Sequence, residues 1–296
     1  MGYLFDEMGP ADEFQQPPYG TDKIWVSFSG GQTSAKMCHQ IYEQFSDTHE
    51  VIATFANTGQ EHEETLRFVH QCDQHFGWNV VWIEAVVHHG QRKACTHKVV
   101  DYYTASRNGE PFEEVIKKYG LPNKGFFHCT RELKINAMNS YLKSIGWEKD
   151  SYTTCIGIRS DEIDRMNARR KEYKFWYPLV NARWTREDVD AWWSQQPFKL
   201  GIENYMGNCV WCYKKSNKKL KRIATESPEW FDFPSRMESC YSTVGQKNGD
   251  PRKMFRGNLT SQDILEDAGV DRDGDELSGE CEQGCEVFGQ YYVKGD

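Results

Sequence analysis

The run Lys23-Ile24-Trp25-Val26-Ser27-Phe28 is apolar enough for a buried strand, yet it stops on Ser29-Gly30-Gly31. A helix-like segment, 33–45, starts at once. The same alternation recurs: a strand-like run at 50–58, a helical one at 61–75, a strand at 79–85 and a later strand at 152–158. A helix between two strands carries the chain back, so consecutive strands point the same way. The pattern therefore predicts an α/β fold with a twisted, mainly parallel sheet flanked by helices. With 38% hydrophobic and 14% aromatic residues in a chain of 296, there is enough apolar surface for such a core.

The rest of the chain is arranged around that unit. Residues 1–22, with Pro10, Pro17 and Pro18, read as an N-terminal arm, and residues 23–200 as the α/β domain. Residues 86–128 are irregular and read as an insertion over one sheet edge. Helices are expected at 130–143 and at 185–193, the latter opened by a Thr185-to-Asp188 capping pattern. From 201 the character changes to a small Cys-rich C-terminal region, 201–296, with an acidic tail. Residues 261–296 hold eleven acids and two bases, so they account for the net charge of −8 and leave the body nearly neutral. No run approaches the roughly 18 apolar residues of a membrane helix. The first twenty residues lack the basic and apolar regions of a signal peptide. The expectation is a cytoplasmic protein with no membrane partner; its oligomeric state stays open.

The glycine turn has a specific physics. Two glycines let main chain approach a ligand closely, and the following helix offers unpaired N–H groups and the positive end of its dipole. Ser27, Ser29, Thr33 and Ser34 add hydroxyls. The combination suits a phosphate chain; a plain strand-to-helix turn is the bland alternative. Rival motifs are missing. The Gly120-to-Gly125 spacing is followed by Phe126-Phe127 rather than Lys-Ser/Thr, and His62-Glu63 has Leu66 where a zinc protease needs histidine.

"SFSGGQTS" (27–34) resembles the Ser-Gly-Gly loop of the PP-loop ATP pyrophosphatases, and in particular their phosphoadenosine phosphosulfate (PAPS) reductase branch. Three further segments match in order. "ANTGQEHEET" (56–65) resembles that branch's Asp-Thr-Gly-x-x-x-x-Glu-Thr stretch, with Asn57 in place of Asp. "GIRSDEIDR" (157–165) resembles its Gly-x-Arg-x-x-Glu-x-x-x-Arg segment, with the second arginine one step early. "YPLVNARWTREDVDAW" (177–192) resembles its Pro-Leu…Trp-Thr…Asp-Val helix start.

The resemblance implies an adenine nucleotide alpha hydrolase-like fold, with 23–200 as the nucleotide-binding domain and ATP or PAPS as ligand. Ser29, Gly30, Gly31, Thr33 and Ser34 would cradle phosphates, and Thr58 and Gly59 would lie near adenine or ribose. Arg159 and Arg165 would neutralise pyrophosphate or sulfate. Magnesium is a candidate companion of the nucleotide. Gln32 stands where many members carry a basic residue, and Glu280-Cys281 lacks the Gly-x-His that follows the reactive cysteine of the reductases. These departures favour ATP-driven adenylation and sulfur transfer over PAPS reduction. They also leave room for a catalytically silent nucleotide-binding subunit.

The ten cysteines, with no secretion signal, give weight to metal or sulfur chemistry over disulfides. Cys209-x-x-Cys212 can chelate a metal, act as a redox dithiol or be two buried thiols. The resemblance implies an iron–sulfur cluster, [4Fe-4S], or zinc held by Cys129, Cys209 and Cys212. Cys285 is the leading fourth ligand, ahead of Cys240, Cys281 or an open position. Cys129 is also a candidate catalytic thiol. Cys38, Cys72, Cys95 and Cys155 sit in regular patterns and read as buried. The basic run 214–222 could meet a nucleic-acid acceptor or be a solvated helix face. His88, His89 and His97 read as loop histidines.

Overall fold

The computed structural model describes residues 13–246 and 248–268, so Cys281, Cys285 and most of the acidic tail lie outside the described residues. Strand β1 (Lys23–Ser27) leads into helix α1 (Gln32–Phe45), β2 (Glu50–Ala56) into α2 (Glu63–Phe76), and β3 (Val81–Val86) into β4 (Thr96–Val100). Helix α3 (Glu110–Tyr119) is followed by a π-helical turn (Thr130–Asn136) that runs on as α4 (Ala137–Ser144). Then come β5 (Thr153–Ile156), a 3-10 turn (Ser160–Arg165), β6 (Phe175–Trp176), α5 (Pro178–Asn181) and α6 (Arg186–Ser194). Helices α7 (Asn217–Glu226), α8 (Asp232–Tyr241) and α9 (Ser261–Ala268) complete the described chain.

The sheet order is β4-β3-β2-β1-β5-β6. Every neighbouring pair is parallel except β3 with β4. The expected mainly parallel α/β sheet is therefore present, with β1 at its centre. Side chains of β1 alternate between two cores, as the two-residue repeat of a strand requires. Ile24 and Val26 join Ile41, Phe55 and Val69 on one face. Trp25 joins Ile83, Phe112, Met138 and Trp211 on the other, its indole N–H donating to Thr54 Oγ1 at 2.9 Å. Burying each such side chain is worth about 1.5–3 kcal/mol.

Two elements differ from the sequence reading. The 86–128 segment does not lie over the sheet edge; it supplies that edge as β4, with Val86 opposite Thr96. The two-residue strand β6 is too short to leave a periodicity. The Thr185 cap is present: its Oγ1 accepts from Asp188 N at 3.4 Å while the Asp188 carboxylate accepts from Thr185 N at 2.7 Å. Among the described residues, no helix is long and apolar enough to cross a membrane.

One buried base sets a pH limit on this fold. His128 is 4% exposed, and neither ring nitrogen has a hydrogen-bond partner among the described residues. Burial, with help from the nearby Arg252 and Arg131 cations, pulls its pKa down to about 4. The folded state thus favours the neutral ring, while an unfolded histidine titrates near 6.5. The resulting stability is fully present above about pH 6.5 and is lost as pH falls toward 4, on the order of 3 kcal/mol. Thermal melts at stepped pH are expected to show this loss and to show less of it in His128→Phe. An unchanged pH slope in the variant would reject the assignment.

Candidate functional site

The two loop glycines have different reasons to be glycine. Gly30 adopts φ +81°, and a Cβ there would stand 2.8 Å from Thr65 Cγ2 and 3.0 Å from the Phe55 ring. It is required by the fold. Gly31 has φ −99°, and the nearest atom to a Cβ would be Ser29 Oγ at 3.8 Å. Nothing in the fold demands a glycine there, but the space beside it is open. Gly31 is also the N-cap of α1, and no side chain caps that helix. The available hydroxyl is turned away: Ser34 Oγ donates to Gly31 O at 3.0 Å and accepts from Ser29 N at 3.2 Å. An uncapped helix start behind an open glycine is what an anion needs. Ser27, the last residue of β1, lies opposite Thr54 and Ile156 of the neighbouring strands.

Arg159 closes one side. Its Nη1 donates to Thr33 Oγ1 at 3.1 Å, while its Nε and Nη2 grip the Asp161 carboxylate at 3.0 Å each. Burial works against the Asp161 charge, but the guanidinium outweighs it and holds the carboxyl below its usual range. Arg165 pairs with Glu162, which also lies 3.5 Å from Arg159. The two arginines are thus joined through Glu162. A third glycine, Gly157, opens the 157–165 motif and has a steric reason of its own. A Cβ there would sit 2.9 Å from Ser34 Cα, so Gly157 lets α1 begin hard against the end of β5.

The 56–65 segment is held by buried carboxylates. Asn57 Nδ2 donates to Glu84 Oε1 at 2.8 Å and to Ser106 O at 2.9 Å. Glu84 is 1% exposed and also meets Lys98 Nζ at 2.9 Å. Thr58 donates through N and Oγ1 to Glu61, at 2.9 Å each. Gly59, at φ +78°, lies so close to Gly109 that a Cβ would approach its Cα to 2.9 Å. Thr58 and Gly59 therefore carry packing duties of their own.

That segment meets the Cys-x-x-Cys directly. Glu61 bridges Cys209 through the backbone, Val210 N donates to Gln60 O at 3.2 Å, and Trp211 Nε1 donates to Gln60 Oε1 at 2.5 Å. Cys129, Cys209 and Cys212 line one small cavity with Thr58 and Lys134, about 20 Å³ in volume. Cys209 Sγ is 3.4 Å from Thr58 Oγ1, and Cys129 Sγ is 3.5 Å from Tyr213 Oη. Cys38, Cys72 and Cys155 lie in the opposite core, where burial raises each thiol far above its ordinary pKa. Cys95 is pushed up to about 12 by burial and by Glu132. Cys240 is exposed.

Residues 23–200 match the phosphoadenosine phosphosulfate reductase domain, more than half of the chain. The chain belongs to that family. It is 30% identical to the nin region protein ORF290 of Escherichia phage lambda, over 89% of this chain and 94% of that protein. It is 23% identical to a protein of Methanocaldococcus jannaschii, over 52% of this chain and 26% of that protein. Both relatives are themselves uncharacterised, so they speak to kinship and not to an activity.

Within this PAPS reductase family member, one departure has a local reason and the other does not: the main-chain carbonyl of Gln32 accepts from Trp193 Nε1 at 2.9 Å, a bond any residue there would make. One turn on, Lys36 is buried, donates to Gln40 Oε1 at 2.7 Å and lies over the Trp184 and Trp192 rings at 4.5 and 4.8 Å. Asn57 neighbours a buried glutamate, which a second carboxylate would repel.

The metal expectation gains no support among the described residues. Among the described residues, no group of three or more His, Cys, Asp or Glu side chains is placed to hold a metal ion. The three thiols line one cavity, Cys209 and Cys129 lie beside the Thr58 and Tyr213 hydroxyls, and Cys285 lies outside the described residues. Neither the iron–sulfur cluster, nor zinc, nor magnesium gains support from this geometry. The basic run 214–222 also turns partly inward. Lys215 donates to the carbonyls of Gly207, Cys209 and Val210 at 2.8–2.9 Å, and Lys219 is buried. Lys221 pairs with Asp267, and Arg222 with Glu226.

Proposed function

We propose that the chain is an enzyme that binds ATP or PAPS at the 29–34 loop and uses the bound nucleotide for sulfur chemistry. The observation that carries this reading is the uncapped start of α1, reached past the open side of Gly31 and flanked by Arg159. Main-chain amides there would bind the phosphates, and Arg159 would offset charge as a leaving group departs. Arg165, through Glu162, would position Arg159.

In the ATP route, an acceptor oxygen attacks the α-phosphorus. The bond to the bridging oxygen breaks, and pyrophosphate leaves with the electron pair. A hydrosulfide then attacks the adenylated carbon and displaces AMP, with no net redox change. In the PAPS route, a cysteine thiolate attacks the sulfate sulfur and adenosine bisphosphate leaves. A second thiol then displaces sulfite, and the two thiols end as a disulfide. Cys209 and Cys212, with Cys129 across the same cavity, would serve as those thiols. The ATP route is the favoured one, because no described thiol lies in a Glu-Cys-Gly-x-His setting.

Thermal-shift titration tests the binding step. ATP or PAPS at a hundred times its Kd is worth about 2.7 kcal/mol, or a Tm rise of about 4 °C for a chain of 296 residues. GTP should give less. One sulfite per chain from PAPS in a single turnover would assign the reductase route. Pyrophosphate from ATP, supplied with fractionated acceptors, would assign adenylation. Absence of a shift with every adenine nucleotide would remove the proposal.

A further inference from the structure

A second concavity, of about 710 Å³, shares no lining residue with the glycine loop or the thiol cavity. Its volume lies in the range of ligand sites. One wall is the π-helical turn and α4, which contribute Arg131, Ile135, Asn136, Asn139 and Lys143. At about 1.5 Å per residue, Arg131 and Lys143 stand roughly 18 Å apart along that wall.

The charge is one-sided. Arg92, Lys93, Lys118 and Arg131 line the groove, as do Lys143 and Lys149; the acids among the lining residues are Glu132, Glu148 and Asp150. Glu132 is already committed, accepting from Cys95 N, Arg131 Nε and Asn136 Nδ2. Arg92, Lys93, Lys143 and Lys149 are exposed, and none forms an ion pair among the described residues. An excess of cations on a chain of net charge −8 is a local feature that the overall composition hides. The groove also carries ring surface: Tyr119 and Tyr152 are half-buried along it, and Tyr152 rests on Trp147 with ring centres 5.7 Å apart.

A lone phosphate would engage one end of such a groove. Several cations and aromatic rings among the lining of one groove match an extended polyanion whose bases can stack. We infer that this groove binds a short single-stranded nucleic-acid segment, on a surface separate from the 214–222 run. The inference does not depend on the nucleotide assignment of the glycine loop.

The test is fluorescence anisotropy with labelled oligo(dT) and oligo(U) 12-mers across a salt series, using the full chain. Wild type is expected to bind at least one of them, with affinity falling as salt rises. The triple variant Arg92→Glu/Lys93→Glu/Lys143→Glu alters exposed side chains only, and its melting curve checks the fold. It should bind at least tenfold more weakly at low salt. Its log–log salt slope should be shallower by about 2, at roughly 0.7 per lost phosphate contact. Lys149→Glu alone should give a smaller change in the same direction, and Lys218→Glu, in the 214–222 run, should give none. Preference for oligo(dT) or oligo(U) would name the natural strand as DNA or RNA. Equal binding by the triple variant, no salt-dependent binding by wild type, tighter binding of a 12-base-pair duplex, or an equal loss in Lys218→Glu would each overturn the inference.

Discussion

Gly31→Val is expected to fold and to lose its nucleotide, whereas Gly30→Val is not expected to fold. The two residues are neighbours, so composition and helix propensity cannot explain a split outcome. At Gly31 the backbone is in a region any residue adopts, and no atom lies closer than 3.8 Å to the new Cβ. The fold should lose about 1 kcal/mol, the cost of a poor N-cap residue. Affinity for ATP or PAPS should fall about a hundredfold or more, or about 3 kcal/mol, as the methyls fill the approach to the helix amides. At Gly30, φ +81° is hostile to a β-branched residue, and the Cβ would press on Thr65, Phe55 and Val69 at 3.2 Å or less. A penalty above about 4 kcal/mol is a large share of a typical domain's stability. Circular dichroism melts separate the folding outcomes, and calorimetric titration with each nucleotide reads the binding. Wild-type affinity in a folded Gly31→Val protein would end the loop assignment.

Asn57→Asp should cost the fold about 3–4 kcal/mol at neutral pH, although it installs the family's commoner residue. The new carboxylate would stand 2.8 Å from Glu84, where the amide now donates, in a site with 0% exposure at Asn57 and 1% at Glu84. Two like charges there cannot both ionise cheaply. The introduced acid would have a raised folded pKa. Its penalty is therefore complete above that pKa and fades as pH drops toward the unfolded value near 3.9. Adding Glu84→Gln should restore at least half of the loss, because one carboxylate and one amide again share the site. Chemical denaturation of the four proteins of this cycle, at pH 7 and pH 5, measures both effects. Additive losses in the double variant would show that the two side chains do not interact.

The parts of this protein that repeat along the chain were legible in its sequence. The strand runs near 23, 50, 79 and 152, and helices α1, α2 and α6, follow from periodicity and capping, which are local. The turn between β1 and α1 was legible because Gly30 and Gly31 interrupt a strand at a helix start. What escaped was set by tertiary contact. Gly157 could be matched to a motif, but its packing role shows only once Ser34 is placed against it. Glu84 sits in an apolar strand, and only Asn57, Ser106 and Lys98 explain why a carboxylate is there. Strand β6 has two residues and no pattern to read. The reading of 214–222 as a basic surface missed that Lys215 reaches back to three carbonyls around the cysteine pair. Charge counts cannot distinguish a lysine that caps a turn from one in water.

The widened turn at 130–136 is a hinge of phase between two chambers. Thr130, Leu133 and Lys134 look toward the thiols, while Arg131, Glu132, Ile135 and Asn136 look toward the long groove. Deleting one residue would let the turn relax to ordinary α-helix and swing everything upstream by about 100° around the axis. With Leu133 removed, for instance, Thr130 would turn to the groove and Glu132 toward the thiols, an acid where none lines that cavity now. One surplus residue keeps the residues of the thiol cavity and those of the long groove on their own sides of a single helix.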